Sequence, residues 1–168
     1  MATVEELIHS DRLIRSSATA VGEALASVPT YTAPALARAV QAEQNLYAQI
    51  ETEFGLLSAT EAGRQMGSRS SAPRNLAASA RMAGRLVAIR RGHQMLYPGF
   101  QFAPTGQPLP AIETLRRLAI EHGRSETGVV QWLVAPTTYL DGQRPVDLLV
   151  EHPDRVIDLA SRAWDVAW

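Results

Sequence analysis

Between Ser58 and Pro98, helix caps, glycines and prolines recur at intervals too short for any long element, so this stretch must fold as a row of short ones. Ser58-Ala59-Thr60-Glu61 is a capping box, in which the serine hydroxyl and the glutamate each satisfy an amide that the first helical turn leaves unpaired. A short helix from Ala59 to Met66 is expected to follow and to end at Gly67, which accepts the left-handed backbone of a tight turn. Ser70 or Ser71 is then placed to cap a second helix, with Pro73 tolerated in its first turn. Leu76, Ala80 and Ala83 would form that helix's inward stripe, with Arg74, Asn75, Ser79 and Arg81 outside and Gly84 as terminator. Leu86 to Ile89 and Gln94 to Tyr97 read as two short strands, joined by a turn within Arg90-Arg91-Gly92-His93.

Two short helices around a glycine turn, followed directly by a hairpin, form the pattern of a winged helix-turn-helix. Charge falls on the same stretch. All sixteen basic residues are arginine. No Asp or Glu occurs from Ala62 to Ile112, yet Arg64, Arg69, Arg74, Arg81, Arg85, Arg90 and Arg91 lie there, giving that window a charge of +7. The rest of the chain holds nine arginines against seventeen acids, or -8, which restores the net charge of -1. Such a window is either a solvated basic face or a surface for a polyanion; its coincidence with the expected helix pair and wing favours the second.

The flanks read as helices. Leu7, Ile14, Val21 and Val28 recur every seven residues, predicting a helix from Val4 to Val28. Pro29 and Pro34 bracket a turn, and a second helix from about Pro34 to Phe54 presents Leu36, Val40, Tyr47, Ile50 and Phe54 on one side. This helical hairpin packs either on the rest of the chain or on a second copy. Gly99 to Pro110 is a connector rich in proline and glycine, anchored by Phe100 and Phe102. Helices are then expected from Ala111 to Glu121, from Ser125 to Val134 and from about Asp154 to the C-terminus, with a turn at Asp141-Gly142. The expected fold is thus mainly α: a helical hairpin (1–55, with possible dimerisation), a winged helix-turn-helix (56–104) and a C-terminal helical module (105–168).

Several chemistries are set aside. Without cysteine there is no disulfide framework or thiolate metal site. His9, His93, His122 and His152 fall in four different expected elements, none at a ligand spacing, and no nucleophile or phosphate-loop motif is present. Neither an enzyme nor a metal or cofactor site is therefore expected. No apolar run approaches the roughly 20 residues that span a bilayer, and Glu5 and Glu6 precede any apolar stretch, the wrong order for a secretory signal. A cytoplasmic protein is the expectation.

The C-terminal third carries a resemblance. In the stretch from Trp132 to Leu149, a Trp is followed four residues on by Pro136, then by Leu140, then by Pro145-x-Asp147-Leu148. This pattern resembles the toxin-binding domain of Xre/MbcA/ParS-type antitoxins. The resemblance implies double-stranded operator DNA as one partner and a RES-type, NAD-degrading toxin as another. It also implies that the C-terminal segment reaches toward the toxin's pocket, which here places Arg162, Trp164, Asp165 and Trp168 in that role. Trp168 either meets the partner or folds onto its own domain, while Trp132, Leu140 and Leu148 read as core. That family more usually carries a helical repressor-type DNA-binding domain, so operator geometry and oligomeric state do not carry over.

Two functions follow as expectations: a type II antitoxin that binds its toxin and represses its own operon, or a DNA-binding regulator with no toxin. In either, Arg74 would fork onto guanine and Asn75 onto adenine. Arg69 and Ser71 would hold phosphate at the helix start. Arg90, Arg91 and His93 would lie on the backbone or in the minor groove. Arg81 would belong either to the same face or to ordinary solvated surface, as would Arg64 and Arg85.

Overall fold

The structure, a computed structural model, describes residues 34–165. Its helices are α1 (Pro34–Phe54), α2 (Ala59–Gln65), α3 (Arg74–Met82), α4 (Pro110–Glu121), α5 (Glu126–Val134), α6 (Pro145–Leu148) and α7 (Pro153–Trp164). Its strands are β1 (Leu56–Ser58), β2 (Ile89–Arg91) and β3 (Gln94–Pro98). The helix expected from Val4 to Val28, and with it the pairing of the helical hairpin, lies outside the described residues. The described chain falls into two units that divide between Ala42 and Glu43. The first contributes the start of α1, where Leu36 and Val40 are exposed. From Glu43 onward the chain is one compact unit.

The middle of this unit builds itself from local signals. Ser58 Oγ accepts the Glu61 amide while the Glu61 carboxylate accepts the Ser58 amide at 2.7 Å, closing the capping box. Gly67 takes the turn after α2 at φ +87. The two helices then cross so closely that a Cβ on Gly63 would lie 2.0 Å from the Pro73 carbonyl oxygen, a contact only glycine permits. The cap of α3 differs from expectation. Pro73 itself occupies the cap position, and the Ser70 hydroxyl instead accepts the Ala72 amide in the preceding turn. Ala77 and Ala80 are the buried residues of α3 and Leu76 is half-buried, so Leu76 and Ala80 face inward as expected while Ala77 joins them and Ala83, expected inside, is exposed.

The sheet holds one strand more than the sequence announces. β1 pairs antiparallel with β3, and β3 pairs antiparallel with β2, giving the order β1-β3-β2. Helix, strand, two helices and a hairpin whose second strand returns to the first is the chain order of a winged helix-turn-helix. The run from Leu86 to Ala88, expected as strand, is buried but stands outside the ladder. A side chain takes the place of a strand there. Gln101, fully buried, accepts the Val87 amide at 2.8 Å and donates to the carbonyls of Val87 and Pro98 at 3.0 and 2.9 Å. Buried backbone groups must find partners, and one amide side chain supplies them.

Two apolar clusters hold the unit. The smaller lies under the helix pair, where Ala62, Ala77, Ala80, Leu86 and Tyr97 meet. The larger joins Tyr47 and Ile50 of α1, Val87 and Ile89, and the C-terminal helices through Ile112, Leu115, Leu133, Val156 and Trp164. Each such large aliphatic side chain taken from water stabilises by roughly 1.5–3 kcal/mol, so the wing and the C-terminal helices share one core. Among the described residues no helix is long and apolar enough to cross a membrane.

Candidate nucleic-acid interface

The outer face of α3, the start of α2 and strand β3 enclose an open groove of about 570 Å³. Arg74, Asn75 and Arg81 line it beside Ser58, Thr60 and Gln94, and Ala78, Met82, Met95 and Tyr97 supply its apolar surface. Helical spacing explains the grouping: Arg74, Ala78 and Met82 stand one turn apart, on the side away from buried Ala77 and Ala80. Met82 is 82% exposed at the edge of this surface. Tyr97 is buried beneath the groove, and that burial raises its phenol above the ordinary value.

The remaining expected DNA contacts do not line this groove. Arg69 and Ser71 are exposed in the segment between α2 and α3. Arg90, Arg91 and His93 are exposed on the hairpin, whose turn is made by Gly92 at φ +61. Arg85 lies apart, in a shallow depression with Gln107 and Glu113.

Two of the seven window arginines are not free cations. Arg81 Nε donates to Glu126 Oε2 at 2.9 Å, and this ion pair is itself half-buried. Of the two expectations for Arg81, plain solvated surface does not describe it: the side chain lines the groove while paired with Glu126. Arg91 meets Glu51 of α1 at 3.2 Å, with both side chains more than half exposed. Arg64, Arg69, Arg74, Arg85 and Arg90 are exposed and form no ion pair among the described residues.

The C-terminal candidates divide. Arg162 and Asp165 are exposed at the end of α7, and Trp168 lies outside the described residues. Trp164 is a correction. It is 4% exposed, packed edge-on against Trp132 at 5.1 Å with the Arg124 guanidinium over its ring, so it is core rather than a surface contact. The apolar stripe of α7 continues to Trp164, and burying its large ring outweighs an indole N–H that finds no partner among the described residues. Leu140 is buried and Trp132 and Leu148 are half-buried against the same cluster. Sequence reasoning passed over Tyr139, which is 67% exposed within the Trp132–Leu149 stretch. Its signal was available: an aromatic just before the Asp141-Gly142 turn, with polar neighbours.

The Pro-x-Asp-Leu element has a structural account of its own. Arg144 donates to Asp147 at 2.6 Å and to Glu53 of α1 at 2.7 Å, with Phe54 under its guanidinium. Hydrogen bonds from Arg144 hold the carboxyls of Asp147 and Glu53 below their ordinary values. Among the described residues no three His, Asp or Glu side chains converge to hold a metal ion.

No family model and no curated protein matches the chain. Its structure is similar to the NMR structure of Rv2175c, at 25% sequence identity with a TM-score of 0.57, covering 66% of this chain and 82% of that one. That likeness bears on the arrangement of elements; the resemblance to the toxin-binding family rests on the stretch from Trp132 to Leu149.

Proposed function

We propose that this chain is a DNA-binding regulator that sets α3 into the major groove and lays the β2–β3 hairpin on the adjoining backbone. The observation that carries this reading is the pairing of a winged helix-turn-helix with an acid-free window whose arginines Arg64, Arg69, Arg74 and Arg90 are exposed and unpaired among the described residues. Arg74 and Asn75 in the first turn of α3 supply the forked donors that guanine and adenine edges accept, while Ala78 and Met82 offer apolar contact to thymine methyl groups. Arg69 and Arg90 would neutralise phosphates, which contributes affinity without sequence information. The test is selection of duplexes from a random pool by the purified chain, followed by affinity measurements on the winner and a scrambled control. Enrichment of a sequence that Arg74→Ala no longer prefers supports the reading; equal affinity for winner and control in the unaltered chain removes it.

A second reading, favoured by exposed Tyr139 in the resembling stretch, makes the C-terminal helices an antitoxin module for a RES-type toxin. Tyrosine is among the residue types enriched at interface hot spots. Co-expression with a RES-type product checks it: a co-purifying complex and rescued growth support an antitoxin, and continued poisoning with no complex leaves a regulator alone.

A further inference from the structure

We infer that Glu126 is a positioning residue for the DNA interface, acting through Arg81; this rests on the DNA-binding reading above. Glu126 opens α5, far along the chain from the window, yet its carboxylate sits behind the groove with only 15% of the side chain exposed. Oε2 accepts both Arg81 Nε–H at 2.9 Å and the Ala88 amide at 2.8 Å, and Oε1 accepts from Arg116 at 3.0 Å. One carboxylate thus clamps the last turn of α3, the chain entering β2, and α4. Those are the recognition helix, the root of the wing and the C-terminal helices.

The consequence for Arg81 follows from guanidinium geometry. With Nε engaged from behind, its terminal amino groups remain for the groove that the side chain lines. An arginine held this way has already lost its rotamer freedom on folding, so docking loses less. Two guanidiniums share one carboxylate, so the knot stays net positive toward a polyanion.

Electrostatics alone predicts the opposite sign, which makes the inference testable. Removing a carboxylate beside a DNA interface raises the positive potential and should tighten binding. Removing a positioning carboxylate should loosen selective binding. The full chain is compared with Arg74→Ala, Arg81→Ala, Arg81→Lys, Glu126→Gln and the double variant Arg81→Ala/Glu126→Gln, on the duplex selected from a random pool and on its scrambled control. Salt dependence and melting temperature are recorded in parallel. Glu126→Gln is expected to lose about tenfold in preference for the selected duplex with its salt slope unchanged, and the double variant no more than Arg81→Ala. Arg81→Lys keeps the charge but lacks the Nε donor, so it should show the same loss even if Glu126→Gln fails to fold. If Glu126→Gln or Arg81→Lys retains full preference, or if the losses in the double variant add, the positioning role is overturned. If Arg74→Ala and Arg81→Ala both bind as the unaltered chain does, the interface reading itself fails and takes this inference with it.

Discussion

In the C-terminal helices Arg116, Arg124 and Arg144 are each held by partners: a half-buried carboxylate, a tryptophan face, and a pair of acids. In the acid-free window Arg64, Arg69, Arg74 and Arg90 face solvent with no ion pair among the described residues. The residue type is the same and the surroundings differ. An arginine that stacks on an aromatic ring and forks onto acids is spent on the fold, whereas one without a carboxylate keeps its donors for an outside anion. Arg81 belongs to both groups, tied to Glu126 yet lining the groove, and marks where the two regions meet.

The largest effect should come from disturbing the scaffold that presents the free set. Gly63→Val forces α2 and α3 apart at Pro73 and should cost about 3 kcal/mol, the upper end for overpacking. That corresponds to a fall in melting temperature of roughly 6–12 °C by calorimetry, with loss of DNA affinity alongside. A melting temperature unchanged by this substitution would mean that the helix crossing is not close.

Next come two arginine deletions with opposite signatures. Arg74→Ala should weaken binding to a selected duplex by about 1–3 kcal/mol while leaving thermal stability unaltered. Arg144→Ala should do the reverse, lowering stability by about 1 kcal/mol once solvent screening of its partly exposed partners is allowed for, with DNA affinity intact. Should the two variants show the same profile in paired melting and anisotropy experiments, the division between the regions dissolves.

Acid sharpens the same division. Asp147 and Glu53 have folded-state values held down by Arg144. Their contribution is therefore present above the ordinary carboxylate range near pH 4 and is lost as pH falls below it. Glu61, held down by the Ser58 amide, follows the same sign. Denaturant titrations across that range should show the acid loss flattened in Arg144→Ala, with the Glu61 part remaining. The smallest effect belongs to the wing: Arg90→Ala should make the salt slope shallower by about 0.9, one phosphate's worth. Arg91→Ala should change it less, because Glu51 already meets that guanidinium. Equal slopes for both would show that the Arg91–Glu51 contact does not matter in solution.

Much of the fold was legible because its signals are local. The capping box, α1, the Ser125 cap of α5 and the Asp141-Gly142 turn each announce themselves within a few residues. What escaped depends on partners far along the chain. Three residues of β1 carry no alternation to read, and their strand exists only because β3 returns beside them. Leu86 to Ala88 look like strand, but Gln101 takes the hydrogen bonds that a neighbour would. For the site, the arginine window and the first turn of α3 were legible, since charge and helical spacing are written in sequence. The ties of Arg81 to Glu126 and Arg91 to Glu51, and the burial of Trp164, were not, because each needs a surface that only tertiary packing brings near.

The central claim is that Arg64, Arg69, Arg74 and Arg90, with Arg85 set apart, form one polyanion-facing surface, and the salt dependence of binding to a random-sequence duplex tests it directly. On a random duplex Arg74 has no preferred guanine to read and meets the backbone instead, so Arg64, Arg69, Arg74 and Arg90 together neutralise about four phosphates and log affinity falls against log salt with a slope of about -3 to -4. A slope shallower than about -1, or no binding at low salt, would contradict the account.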